Sequence, residues 1–249
     1  MITESFDKES NAIINPKKYE KRVKCDICIV TFSSDIEKYL VKKLRAKKVA
    51  VSKWVGGEIP VYTFKYKNKI FGFYKTMLGA SASAGTLEEI ALMLDTEKFL
   101  FFGSAGSLDR EISQNKVVVP TFSYRDEGTS YHYAEANDYI KINNSSIVAD
   151  FMSRNSIPYI EGKIWTTDAF YRETKNNFSK RKSDGCIAVD MECSAIQSVC
   201  DFRGLDLFYF LICGDLLDAP EWDPAGLRFA NHDIQNLELA LKLALKVCT

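Results

Sequence analysis

The sequence predicts an α/β protein: one three-layer α/β/α domain on a mostly parallel, mixed central sheet. Three observations predict it. Apolar runs of strand length alternate with amphipathic helical stripes almost throughout the 249 residues. Several runs, such as KFLFFG (98–103) and LDLFYFLICGD (205–215), are unbroken, as in strands covered on both faces. No Pro-, Gly- or Ser-rich linker divides the chain, which is long enough to bury one sizeable core. Residues 1–23 are polar and Lys-rich and read as an arm; 24–249 read as the domain.

The elements follow in order. A strand at about 25–32 runs into SSDIEKYLVKKL, where Ser34 and Glu37 have capping-box spacing and Ile36, Leu40 and Leu44 form a stripe. PVYTFKY and KIFGFYKT flank Lys67-Asn68 as a hairpin. After TMLGASASAG, Thr86 and Glu89 suggest a second capping box, ahead of Leu87, Ile90, Ala91 and Leu94. The strand 98–103 is followed by GSAGSLDREISQN, read as a loop, then the strand KVVVPTFSYR and the polar-aromatic DEGTSYHYAE. A helix near 145–155, the strand YIEGKIWTT and a charged helix at 173–184 come next. CIAV is a buried strand, with Asp190 as N-cap of the helix after it. LDLFYFLICGD precedes one amphipathic helix at about 226–247.

Composition excludes several classes. The 33 basic and 33 acidic side chains cancel, which gives no electrostatic case for nucleic acid or an acidic membrane. The cluster KKLRAKK (42–48) reads as the solvated face of a helix. No early apolar run resembles a signal peptide and none is long enough to span a bilayer, so the expected compartment is the cytoplasm. Seven cysteines, an odd number lying mostly in apolar runs, suit reduced thiols. CDIC (25–28) has CxxC spacing, but residues three apart in a strand point to opposite faces and no second pair completes a zinc site. No metal and no cofactor is expected. GxSxG, Walker A, GxGxxG and HExxH are absent, which removes support for serine hydrolase, kinase and dehydrogenase readings.

GCIAVDMECSAIQSVCDFRG (185–204) carries the first chemical signal. Ala195, Ile196, Val199 and Cys200 fall three, four, seven and eight residues after Glu192, which places a carboxylate in the first helical turn of an apolar stripe. Helix dipole and backbone donors could satisfy it, or a ligand could. Ligands of such sheets bind beyond the carboxyl ends of strands. That rule points to GSAGSL, WTTDAF, DMEC and CGDLLD, each after a strand. Together they supply a small-residue loop, an aromatic wall (Phe170, Tyr171), the inward acid Glu192 and a second acid, Asp215. Arg125 and Glu127 could be a surface ion pair, and His132 among aromatics reads as structural. Cleaving an N-glycosidic bond asks for such parts: hydroxyl anchoring while the sugar gains oxocarbenium character, a proton donor for the base, and a ring to stack on it.

GSAGSL then KVVVP, RDEGTSYHY, WTTDAFYRET, VDMECSA and ICGDLLD, in that order over about 61–215, resemble the purine and uridine phosphorylase superfamily. The likeness is greatest to bacterial members with RDEGTSYHY, described as nucleoside phosphorylases. The resemblance implies that Met191 and Glu192 hold ribose, Phe170 lies beside the base, and Asp215 serves a purine ring nitrogen. Gly103 and Ser104 would belong to a phosphate or ribose loop, with Arg125 or Arg172 as substitute phosphate cations. The family's first phosphate turn carries Gly-Asp-Pro and an arginine; here that stretch is TFSSDIEKY, and Phe101 stands where a second arginine is usual. Thr174 and Asn176 replace the pair that reads uracil.

The expectation is a nucleoside phosphorylase that cleaves a purine nucleoside with phosphate to free base and pentose 1-phosphate. A nucleosidase of the same fold using water, or a silent nucleoside-binding or storage protein, are the alternatives. The expected partners are a nucleoside and phosphate as co-substrate, in a homo-oligomer (dimer or trimer of dimers).

Overall fold

The computed structural model describes residues 1–113, 116–218 and 221–248. After the arm, β1 (Val23–Lys24) and β2 (Ile27–Thr31) lead into α1 (Ser34–Lys43). Then come β3 (Lys47–Trp54), β4 (Gly57–Tyr66), β5 (Lys69–Lys75), α2 (Ala80–Met93) and β6 (Leu94–Asp95). The middle holds β7 (Lys98–Ser107), α3 (Arg110–Ser113), β8 (Val117–Asp126), β9 (Tyr139–Lys141), α4 (Ser145–Arg154) and β10 (Tyr159–Thr167). The last part holds α5 (Lys175–Ser183), β11 (Cys186–Asp190), α6 (Cys193–Arg203), β12 (Asp206–Leu216), α7 (Leu227–His232) and α8 (Ile234–Val247).

The main sheet runs β11-β10-β8-β12-β7-β2-β5-β4-β3, with β9 on β8. Ala188 and Val189 of β11 also pair antiparallel with Ser107 and Gly106 of β7. That second pairing closes β7, β12, β8, β10 and β11 into a barrel-like ring, and β2 to β5 extend from it as an open wing.

Alternation along the strands sorts the core into two layers. Cys28, Val30, Phe99, Phe101, Leu207 and Tyr209 face α2 and α6 through Leu87, Ile90, Ile196 and Val199. Ile27, Ile29, Leu100, Phe102, Phe208 and Phe210 face α1, α4 and α8 through Ile36, Leu40, Met152, Leu237 and Leu241. Burial on both faces is why these strands read as unbroken apolar runs. The three-layer α/β expectation holds, with a mixed, mostly parallel sheet.

Several local expectations are corrected. Ser33, not Ser34, caps α1, its Oγ accepting from the Ile36 amide at 3.2 Å. Thr86 lies inside α2, its hydroxyl spent on the Ala82 carbonyl at 2.7 Å, because the helix already starts at Ala80. GSAG is not a loop: it continues β7 to Ser107. The cluster 42–48 is not one helical face, since α1 stops at Lys43, Arg45 takes φ 53° and Lys47 opens β3. The C-terminal helix is two, broken where Asp233 (φ −72°, ψ 130°) caps α8 by accepting from the Gln235 amide. Residues 114–115 of the expected 103–115 loop lie outside the described residues.

The arm is tied down at points along its length. Phe6 meets Phe202 edge-on, and Arg22 donates to the carbonyls of Leu94 and Ala91. Cys25 and Cys28 are buried and unbridged, and no cluster of three metal-ligating side chains occurs among the described residues. No helix among them is long and apolar enough to cross a membrane.

Candidate active site

Glu192 is 5% exposed and sits at the N-cap of α6, one residue outside the first turn expected for it. Its Oε1 accepts the amide of Gly79 at 2.6 Å. Gly79 follows the tip of β5 as N-cap of α2, with φ 93°, a value that L side chains rarely adopt. A glycine there lets the chain turn sharply while aiming its N–H at the carboxylate. Burial pushes the Glu192 carboxyl above its ordinary range, and nearby Asp190 adds to the push.

Asp190, expected as the N-cap of α6, is instead the last residue of β11, and the N-cap is Glu192; Asp190 reaches the first helical amide from two residues further back. Its Oδ2 accepts from the Cys193 amide (2.9 Å) and the Tyr209 hydroxyl (3.0 Å), and its Oδ1 from Thr166 (2.6 Å). Thr166 in turn receives the Ser194 amide and bonds Ser123. The Ser194 hydroxyl donates to Glu127, whose other oxygen takes the Ser130 amide. Burial raises Asp190 while these donors oppose the rise. The network pins the tips of β8, β10 and β11 behind Glu192.

Asp215, near the end of β12, lies across Gly106 of β7. A Cβ at Gly106 would stand 3.4 Å from Asp215 Oδ1 and 2.5 Å from Leu217, so glycine keeps this approach open. Oδ2 accepts the Trp222 indole N–H at 2.8 Å. Burial raises the Asp215 carboxyl, and the indole bond opposes it. Glu173, just after the turn Phe170–Arg172, is pushed up to about 7 by burial and then by the charge of Asp215. Two acids with raised affinity for protons therefore face the same end of the barrel.

Beside them, Gly103 and Ser104 lie within β7. The Phe32 ring covers Gly103, where a Cβ would come within 2.9 Å of it. Past Phe32, Lys75 Nζ donates to the Ser34 hydroxyl at 3.0 Å, and Ser33 Oγ shares a 2.7 Å hydrogen bond with His232 Nδ1. A lysine, a histidine and two hydroxyls thus gather at the start of α1, where a helix N-terminus favours anions. Glu37 stands 3.9 Å from Lys75.

The structure places the other candidates as follows. Met191 is half-buried next to Glu192, while Phe170 is 49% exposed and packs on Tyr171 with centroids 4.1 Å apart. Arg125 is not a surface ion pair and not a free phosphate cation. It is 4% exposed and donates to Ser130 Oγ and to the carbonyls of Ala134, Glu135 and Asn137, with Tyr131 stacked at 4.1 Å. Its donors fold the DEGTSYHY segment back on itself. Tyr133 then clamps that segment to Glu88 of α2 at 2.7 Å. His132 and Arg172 are exposed. Phe101 is fully buried, stacked on Tyr209.

Four residues of this region escaped the sequence reading: Gly79, Lys75, Glu173 and Trp222. The first two carried a usable signal, since a lysine and a glycine closing a strand tip obey the same rule that flagged the other four tips.

Strand tips of a partly closed α/β sheet thus bring together buried acids, a glycine-edged strand and clustered hydroxyls. The chain belongs to the phosphorylase superfamily, whose family model matches residues 26–249. It is similar to a DeoD-type purine nucleoside phosphorylase of Exiguobacterium sp., 22% identical over 75% of this chain and 79% of that one. It is also similar to the 5'-methylthioadenosine/S-adenosylhomocysteine nucleosidase of Buchnera aphidicola, 29% identical over 72% and 81%. The solved futalosine hydrolase of Helicobacter pylori superposes with a TM-score of 0.69 at 18% identity, covering 88% of this chain and 97% of its own. In other relatives the matched segment falls to 58% of their length. The family includes phosphorylases and hydrolases, so the chain is an enzyme of the nucleoside phosphorylase/nucleosidase kind.

Proposed function

We propose that this protein cleaves the N-glycosidic bond of a purine nucleoside with phosphate as acceptor, giving free base and pentose 1-phosphate. The observation that carries the reading is Glu192 held by Gly79 on one side of the strand tips with Asp215 across Gly106 on the other. Glu192 would accept hydrogen bonds from the sugar hydroxyls, and Met191 would line that side. Asp215, whose carboxyl burial raises above its ordinary range, would give a proton to the purine N7 as the glycosidic pair moves onto the base. A phosphate oxygen then closes on the anomeric carbon. Gly103 and Ser104, with Lys75 and the start of α1, supply the substitute anion site. Phe170 would pack against the base.

A second reading, hydrolysis by water, is favoured by the enclosure of Arg125 among carbonyls and by Phe101 in the core. Exposed Leu78, beside Gly79, and exposed Phe170 and Tyr171 support a homo-oligomer, and the buried free thiols fit a reducing cytoplasm. The test is a panel of nucleosides incubated with and without phosphate. Pentose 1-phosphate formed only with phosphate is expected; base release indifferent to phosphate, with free sugar as product, overturns the first reading in favour of the second.

A further inference from the structure

The aromatic-acidic stretch DAPEWDP, whose Ala219 and Pro220 lie outside the described residues, contributes one contact to the site that the reaction above does not use. Trp222 is 63% exposed, yet its indole N–H is directed at Asp215 Oδ2 at 2.8 Å. The backbone near it is fixed by other bonds. Leu216 and Asp223 exchange amide–carbonyl bonds at 2.9 and 3.3 Å, Leu217 donates to Ser107, and Ala225 to Asp223 Oδ1. Gly226 packs on the Gly214 carbonyl so closely that a Cβ there would lie 2.3 Å from the oxygen. Rotation of the side chain alone can therefore break the indole bond.

An indole is a fused five- and six-membered ring whose five-membered ring bears one N–H. A purine leaving with a proton on N7 presents the same outline and the same donor to the same oxygen. We infer that Trp222 occupies the base's place on Asp215, so that a purine binds only by displacing the indole and is in turn displaced by it. This rests on the glycosidic-cleavage reading and names its consequence: N7 is the atom selected for, and Trp222 is the internal competitor. Among the described residues, Glu173 and the Cys213 thiol are the titratable groups that face Asp215 beside the indole. Neither is a cation able to hold the carboxylate once the indole leaves, so the incoming base must itself supply the donor.

The experiment titrates adenine, hypoxanthine and their 7-deaza counterparts, which lack N7, into wild type and Trp222→Phe by calorimetry. Phenylalanine keeps the ring and removes the donor. The expected result is binding roughly tenfold tighter in the variant, one hydrogen bond's worth of competition, for every compound that must displace the ring, with each 7-deaza compound weaker than its parent purine in both proteins. In wild type, the indole N–H resonance of Trp222 should move upfield on adding adenine, while those of Trp54 and Trp165 stay. Equal or weaker purine binding by Trp222→Phe, or an unmoved resonance at saturation, overturns the displacement. Wild type that binds no purine at all sinks the cleavage reading with it, whereas wild type that binds purine with unchanged affinity in the variant sinks the displacement alone.

Discussion

Gly79 donates its amide to Glu192 Oε1 at 2.6 Å, joining the tips of β5 and β11 across 113 residues of chain. Backbone donors at Gly79 and Met191 orient the carboxyl group. The group remains buried beside Asp190, which holds protons more tightly on the acid. Such an acid is costly to the fold and is retained where a ligand uses it.

Glu192→Gln should therefore separate activity from stability. The amide keeps an acceptor for Gly79 but loses the acid that the proposed mechanism uses to hold sugar hydroxyls. Turnover should fall by at least about 100-fold, roughly 2.7 kcal/mol of barrier. The melting temperature should hold or rise, since a buried acid has been removed. Activity within tenfold of wild type assigns Glu192 to the fold alone.

Asp215→Asn should discriminate between leaving groups. On the proposed mechanism a departing purine takes a proton from Asp215, whereas a nitrophenolate needs none. Loss on purine nucleosides should be about 100-fold or more, and on nitrophenyl ribosides less than about tenfold. Equal losses on both substrates would make Asp215 a structural anchor for Trp222.

Lys75→Met examines the acceptor site. If Lys75 and the start of α1 hold phosphate, its KM should rise at least about tenfold while the KM for nucleoside stays. Parallel changes in both constants would place Lys75 outside the phosphate site.

Much of this was legible in the chain, for local reasons. Unbroken runs announce the two-faced strands, and the rule of strand carboxyl ends points to the tips where Glu192 and Asp215 lie. What escaped depends on pairings far apart in sequence. The β7–β11 contact that closes the ring joins Gly106 to Val189, and no pattern in either segment announces it. Ser33 caps α1 while the Ser34 hydroxyl, in the first turn, accepts from Lys75 at the distant tip of β5. Arg125 looked available because the carbonyls that consume its donors belong to backbone, which sequence chemistry leaves invisible.

Glu173 gives a pH prediction. Its folded-state carboxyl is raised from 4.5 to about 7 by burial and by Asp215. The folded state thus holds a proton that the unfolded chain releases. Its stabilising contribution is complete below pH 4.5 and is lost as pH rises through about 7. Glu173→Gln removes that loss. Its melting temperature relative to wild type should climb across this window by roughly 2–4 °C, about 1 kcal/mol after allowance for solvent screening of a half-buried group. A difference flat with pH would show that Glu173 titrates as an ordinary surface acid.

Arg125→Ala should be felt by the fold and not by phosphate. The guanidinium gives hydrogen bonds to Ser130 and to three carbonyls, and stacks on Tyr131. Deleting it leaves the buried Ser130 hydroxyl and three part-buried carbonyls without that donor, at about 1–3 kcal/mol for each one left dry. It also frees the segment that sets Ser130 against Glu127, and through Ser194 and Thr166 the support of Asp190. A loss of about 3 kcal/mol or more is expected by denaturant unfolding. Lysine cannot restore it, because one ammonium cannot reproduce a planar fork. In the fraction that remains folded, the KM for phosphate should be unchanged. A variant of native stability whose phosphate KM rises tenfold would return Arg125 to the acceptor site and require its donors to leave the carbonyls when substrate binds.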